Sequence, residues 1–369
     1  MKLIKKNKKL FKIFNLILIL FLPLILFNYL YSGKKDFGLV ALNKDTTKKI
    51  EKINNKKIIC TGYKDYRECL KLLNDKSRKT IVLLGNSQLF AINQMKADDY
   101  LTSYYLSKEM EKEKINFITF ALPNGSLTEH LIIYDFLNSK YKIDTLILPL
   151  IFDDLREAGI RDDVKNFFND KEFKNYFLAT DHKKKIFKKI FPDSIKVQKK
   201  KTTQEISENK ILNFLNSCCN YEEKRDGISG EIFVTLYNLR NTIFNITSTS
   251  KRKLLIGSYE QNLNSFIELI NITNDNNTKL LSYIAPIRND IAIPYVENEY
   301  EKFKQEILIL SRTENFIHVN LEDLIPKDLW GTTAGTKFGV DDEIDFMHFK
   351  GDGHKILSQK IINILSNDF

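Results

Sequence analysis

A parallel α/β fold is predicted by two features of the chain: five short apolar runs, and the longer amphipathic stretches that separate them. The runs are Thr80–Leu84, Asn116–Ala121, Thr145–Leu150, Lys279–Ala285 and Phe316–Asn320. They are rich in Ile, Leu, Val and Phe and mostly lack polar alternation, as strands buried on both faces require. Between them, apolar residues recur at helical spacing, for example Leu131, Ile132 and Phe136, or Phe303, Ile307 and Leu310. Strands alternating with helices imply a parallel sheet covered by helices on both sides. With 369 residues, 43% hydrophobic and 12% aromatic, the chain can bury such a core and is not a disordered polymer.

The elements follow in order from the N-terminus. Lys2, Lys5, Lys6, Lys8, Lys9 and Lys12 fill a basic tail over residues 1–12. An uncharged run from Ile13 to Tyr31 follows, long enough to cross a bilayer as a helix. Lysines in front of such a run stay in the cytoplasm, so everything after Ser32 is expected outside. A cleavable signal peptide is the competing reading, but the run is long for one and no small-x-small cleavage site follows it. Pro23 is tolerable within a membrane helix. Residues 32–78 are polar and lysine-rich and read as a stalk with one short helix. The α/β domain is expected over 79–369, interrupted from about 162 to 258 by an irregular insertion. That insertion carries lysine runs at Lys183–Lys185, Lys188–Lys189 and Lys199–Lys201. Ile186, Phe187, Ile190 and Phe191 between lysines would suit a membrane-facing patch, although a solvated lysine-rich face is the simpler reading.

The net charge of +10 favours anionic partners: lipid headgroups, acidic glycans or nucleic acid. Nucleic acid is the weakest of these, because no zinc-finger spacing, RNP-like motif or regular basic helix is present. Four cysteines are too few for a disulfide-built scaffold; Cys60 and Cys69 could bridge in an oxidising compartment, and Cys218–Cys219 suggest no chemistry. Scattered histidines suggest no metal site, and no Walker loop or dinucleotide fingerprint occurs, so no cofactor is expected.

Two segments carry candidate chemistry. Gly85-Asn86-Ser87-Gln88 ends the first strand just before a helical pattern. A serine at that junction has its N–H at a helix N-terminus, where partial positive charge favours an oxyanion. Helix capping is the plain alternative for Ser87. Near the other end stands Asp345-Phe346-Met347-His348. Residues three apart on a turn or helix start can meet on one side. Asp345 could then hold the His348 imidazole in the tautomer that accepts a serine proton. Histidine suits this because its ordinary pKa, about 6.5, allows it to take and return a proton near neutrality. His354 reads as support for the last helix, His318 and Trp330 as packing, and Asp153, Asp154, Arg156, Glu157 and Arg161 as a salt-bridged loop. In a parallel sheet, both the serine and the Asp/His pair fall at the carboxyl edge, where such folds place their sites.

With these blocks in hand, the sequence resembles the SGNH (GDSL-like) hydrolase superfamily from about residue 79 to the end. Gly85-Asn86-Ser87 looks like its first block, Ala121-Leu122-Pro123-Asn124-Gly125-Ser126 its second, and Asp345 to His348 its last. The resemblance implies a flavodoxin-like three-layer sandwich. It also implies Ser87 as nucleophile, His348 as base, Asp345 as its orienting partner, and Gly125, with Asn124 beside it, at the oxyanion. One block departs: the third strand ends Pro149-Leu150-Ile151-Phe152-Asp153-Asp154, without the family's asparagine. An ionised carboxylate cannot donate that hydrogen bond, which leaves either an oxyanion hole of two donors or one that borrows Arg156, Arg161 or Arg288. The departure and the N-terminal anchor bring the chain closer to membrane-anchored SGNH-like proteins of bacterial envelopes. For that branch the resemblance implies O-acyl transfer or ester hydrolysis on an envelope glycan or lipid, and a membrane-bound O-acyltransferase as partner. A noncatalytic binding or assembly factor on the same fold is the alternative.

Overall fold

The computed structural model describes residues 46–157, 159–180, 183–184 and 238–366. The elements below belong to one compact unit spanning residues 42–198 and 240–369. The expected membrane span at 13–31, the apolar patch at 186–191 and Cys218–Cys219 lie outside the described residues. Among those described, no helix is long and apolar enough to cross a membrane.

In chain order the unit contains β1 (Thr46–Lys48), β2 (Ile59–Cys60), α1 (Tyr66–Leu70), β3 (Thr80–Gly85), β4 (Ala91–Asn93), α2 (Thr102–Lys112), β5 (Asn116–Ala121) and α3 (Leu127–Asn138). It continues with β6 (Thr145–Leu150), α4 (Phe152–Arg156), α5 (Lys171–Leu178), α6 (Ile256–Asp275), β7 (Lys279–Ile284) and α7 (Glu297–Leu310). The last elements are β8 (Phe316–Asn320), β9 (Trp330–Ala334), β10 (Asp342–Phe349) and α8 (Gly351–Ser366). All five predicted runs are strands, with ends matching to within a residue. Six strands form one sheet in the order β8-β7-β6-β3-β5-β2, every pair parallel. Without the short edge strand β2 this is the order of flavodoxin-like folds, whose ligands bind where the strand order reverses. Here that reversal falls between β3 and β6.

Continuous apolar runs work because each strand feeds two cores. In β3, Val82 and Leu84 join the layer with α3, α6 and α7, while Ile81 and Leu83 face α2 and α8. Leu146 and Leu148 against Ile147 repeat the pattern in β6. Helix α3 starts at Ser126, whose hydroxyl accepts from the Glu129 N–H while the Glu129 carboxylate accepts from the Ser126 N–H.

Three expectations change. Residues 46–78 are not a stalk. Ile59, Cys60, Tyr66, Cys69 and Leu73 are buried, β2 pairs with β5, and Cys60 is bridged to Cys69. The lysines that made this stretch look solvated leave just enough apolar residues to cover the sheet edge. The insertion is not wholly separate either, since Val164, Phe167, Phe168, Phe173 and Phe177 join the core beside α3. Finally, Asp345 to His348 is neither a turn nor a helix start. It lies in β10, paired antiparallel with β9 in a hairpin apart from the main sheet.

Candidate active site

The first half of the site is one short piece of chain leaving β3. Gly85 is required there by close packing: a Cβ would stand 2.4 Å from Leu89 Cδ1 and 2.9 Å from Pro149 Cγ. Asn86 then caps a 3₁₀ turn, Ser87–Leu89, its side-chain oxygen accepting from the Gln88 N–H at 3.1 Å. As the first residue of that turn, Ser87 has an N–H without a partner inside it. The Asn86 amide donates to both carboxyl oxygens of Asp154, at 3.0 and 3.1 Å. Asp154 is fully enclosed. Burial pushes its pKa well above the usual carboxylate range, against the pull of the Asn86 hydrogen bonds.

The second half comes from β10. Its backbone bends so that the Asp345 carboxylate turns back on its own strand, Oδ1 accepting from the N–H groups of Met347 (2.8 Å) and His348 (3.0 Å). Oδ2 faces His348 Nδ1 at 3.0 Å and accepts from Asn93 Nδ2 at 3.0 Å. Burial alone would raise the Asp345 pKa, but the charge and hydrogen bond of His348 and the two backbone donors outweigh it and hold it below the ordinary value. The other imidazole nitrogen, Nε2, lies 3.0 Å from Ser87 Oγ.

Ser87, His348 and Asp345 are therefore joined in one line of hydrogen bonds, although 261 positions separate the serine from the histidine. With Nδ1–H donated to a carboxylate, Nε2 is left to accept the serine proton. Ser87 as a whole keeps 9% of its surface exposed, at the carboxyl edge of the sheet.

Sequence reasoning missed the residue that ties the two halves together. Gln88 is buried, and its Nε2 donates at 2.9 Å to both Pro286 O and Met347 O. It thus braces the Ser87 turn against the residue preceding His348. Nothing in a lone glutamine after a serine signals that role.

The expected oxyanion donors are differently placed. The loop after β5 does lie beside the end of β3, with Leu122 N donating to Gly85 O at 2.8 Å. Gly125, however, already donates its N–H to Leu122 O at 3.1 Å, closing a tight turn with Asn124 exposed in left-handed conformation (φ 49°) at its corner. That N–H is not the free donor the sequence suggested. Arg156 is paired with Asp153 and donates to Lys253 O, and Arg161 is paired with Glu129 and Glu157. Arg288 is paired with Asp290 and donates to Gly331 O. All three arginines are spent on structure, because each has a carboxylate within its own loop or an adjoining element.

The remaining candidates are structural. Trp330 is buried, with its indole N–H donated to Ile325 O at 3.2 Å. His318 in β8 meets Ser282 Oγ at 2.8 Å, and burial lowers its pKa to about 4. Among the described residues no group of three or more His, Cys, Asp or Glu could hold a metal ion.

No protein-family model matches this chain, and no curated protein sequence matches it. Its fold is loosely similar to that of a Bacteroides fragilis protein described as a "putative acylhydrolase", at 9% identity and a TM-score of 0.36. That likeness covers 82% of this chain and 96% of the other. At so low a score the chemistry of the site rests on its own geometry.

Proposed function

We propose that this protein is a serine-dependent O-acyltransferase or esterase acting on ester-linked acyl groups. The observation that carries the reading is the line Ser87 Oγ, His348 Nε2, His348 Nδ1, Asp345 Oδ2, each contact 3.0 Å. His348 takes the hydroxyl proton as Ser87 attacks an ester carbonyl, and Asp345 stabilises the imidazolium that forms. The Ser87 N–H meets the developing oxyanion. His348 returns the proton to the leaving alcohol, leaving an acyl-serine. Attack by water then gives hydrolysis, and attack by a sugar hydroxyl gives transfer.

The proposed setting is the outer face of a membrane, with an envelope glycan or lipid as substrate and a membrane-bound O-acyltransferase as partner. Support for it comes from the lysine tail and apolar run in the sequence, and from the Cys60–Cys69 bridge, which suits an oxidising compartment. One observation favours a second reading, a binding or assembly factor without turnover. With Gly125 N–H and the three arginines committed, the oxyanion is left with a single evident donor among the described residues, and losing one donor costs about a hundredfold or more in rate.

Labelling with a fluorophosphonate serine probe separates the two. The wild-type protein should label, and Ser87→Ala and His348→Ala should not. An unlabelled, folded wild type would sink the enzyme reading and favour the binding factor.

A further inference from the structure

We infer that Asn93 is a positioning residue for the proton relay, fixing the Asp345 carboxylate in the plane that His348 requires; this rests on the serine-enzyme reading above. Asn93 ends β4, six residues after Ser87, and is fully buried. Its Nδ2 donates at 3.0 Å both to Asp345 Oδ2 and to Thr332 O in β9. Both amide hydrogens are thereby used. The opposite amide orientation would turn Oδ1 toward a carboxylate and a carbonyl, two acceptors, so the orientation is fixed by its surroundings.

The cost of this arrangement shows its purpose. Asn93 Oδ1 is buried with no hydrogen-bond partner among the described residues, a state that an apolar residue of similar size would avoid. Gly331 leaves room for it: a Cβ there would lie 1.9 Å from Asn93 Oδ1. What the asparagine supplies in return is the fourth donor to Asp345, after His348 Nδ1 and two backbone N–H groups. With two donors on each oxygen, the carboxylate can neither rotate nor swing away from the imidazole. Asn93 and His348 share Oδ2, so the amide also draws off negative charge that would otherwise fall on the imidazole.

This gives a readout that packing alone would not move. Among the described residues, His348 faces the titratable groups Asp345 and, from α8, the buried His354, with the Ser87 hydroxyl on its other side. Rates of fluorophosphonate labelling would be measured against pH for the full-length wild type, Asn93→Ala and Asn93→Asp, with thermal unfolding of each. In Asn93→Ala the labelling rate at the optimum should fall about tenfold. Its acid limb should move to higher pH, because an unshared carboxylate holds the proton on His348 more strongly. Asn93→Asp, nearly isosteric, adds a second acid beside the first and should move the limb further, by about one pH unit or more. If Asn93→Ala does not fold, the limb of Asn93→Asp decides. Labelled variants whose acid limbs coincide with that of wild type would overturn the role of Asn93 while leaving the serine-enzyme reading intact. An unlabelled wild type would overturn both.

Discussion

Two histidines six residues apart sit in opposite surroundings. His348, at the end of β10, keeps 13% of its side chain exposed and stands between a carboxylate and a hydroxyl. His354, one turn into α8, is fully buried, with Thr102 Oγ1 at 3.1 Å on one nitrogen and the Ala91 carbonyl at 3.2 Å on the other. Burial, reinforced by the charge of nearby His348, lowers the His354 pKa to about 3 despite the Ala91 carbonyl. The same side chain is thus set for proton exchange in one corner and locked neutral in the next. An anionic partner and access to water make the difference, and residue type does not.

The sharpest way to break this contrast is to take away the anion. Asp345→Asn should lower the fluorophosphonate labelling rate by on the order of a thousandfold or more, because the amide no longer selects the productive tautomer or stabilises the imidazolium. A fall of less than tenfold would mean that His348 does not depend on its carboxylate. Removing the brace should cost less. Gln88→Ala frees the Ser87 turn from Pro286 O and Met347 O, and the labelling rate should drop about ten- to a hundredfold with unfolding temperature changed modestly.

His354 should show the reverse pattern. His354→Ala deletes a buried ring and two hydrogen bonds, for a loss of about 2–4 kcal/mol in unfolding free energy by denaturant titration. Labelling of the folded protein should stay within about twofold of wild type. A large drop in labelling with unchanged stability would erase the distinction between the two histidines.

The smallest effect concerns pH. His130 and His354 are both held near 3 by burial, so the unfolded chain binds their protons first as pH falls below about 6.5. Each should cost about 2 kcal/mol of stability by pH 5. Glu51 acts oppositely. Burial, against the pull of the Leu101 N–H and Lys49, raises its pKa to about 7. The folded state therefore binds its proton first, and its contribution to stability is lost as pH rises through 7. Between pH 7 and 5 it should offset about 2 kcal/mol of the histidine loss. Glu51→Gln removes that offset, so its stability should fall more steeply than that of wild type over this range. Parallel curves would refute the assignment.

How much of this was legible in the sequence follows from how local each signal is. The five sheet strands were readable because strands buried on both faces need only a run of apolar residues, and Ser87 because it closes one of them. Asp345 and His348 were readable as a pair but placed on the wrong backbone. Asp342–Phe349 alternates too irregularly to announce a strand, and its partner Trp330–Ala334 is short and interrupted by Gly331. Asn93 and Gln88 left no trace, since their meaning lies in carbonyls and carboxylates 198 to 259 positions away. The commitments of Gly125 and Arg288 were hidden for the opposite reason: each has a partner only two or three residues away, and spacing motifs ignore such neighbours.

The piece of chain from Gly85 to Asn93 has a consequence for kinship. Within nine residues it supplies the close-packed glycine, the cap, the serine that meets His348, the brace and the holder of the distant carboxylate. One residue inserted or removed between Leu89 and Asn93 would turn the asparagine to the other face of β4, away from Asp345. Any chain that keeps this arrangement must keep its length here, whatever else drifts. Ancestry is then traceable by fixed spacing, glycine to serine to asparagine, even where residue identity has faded past recognition.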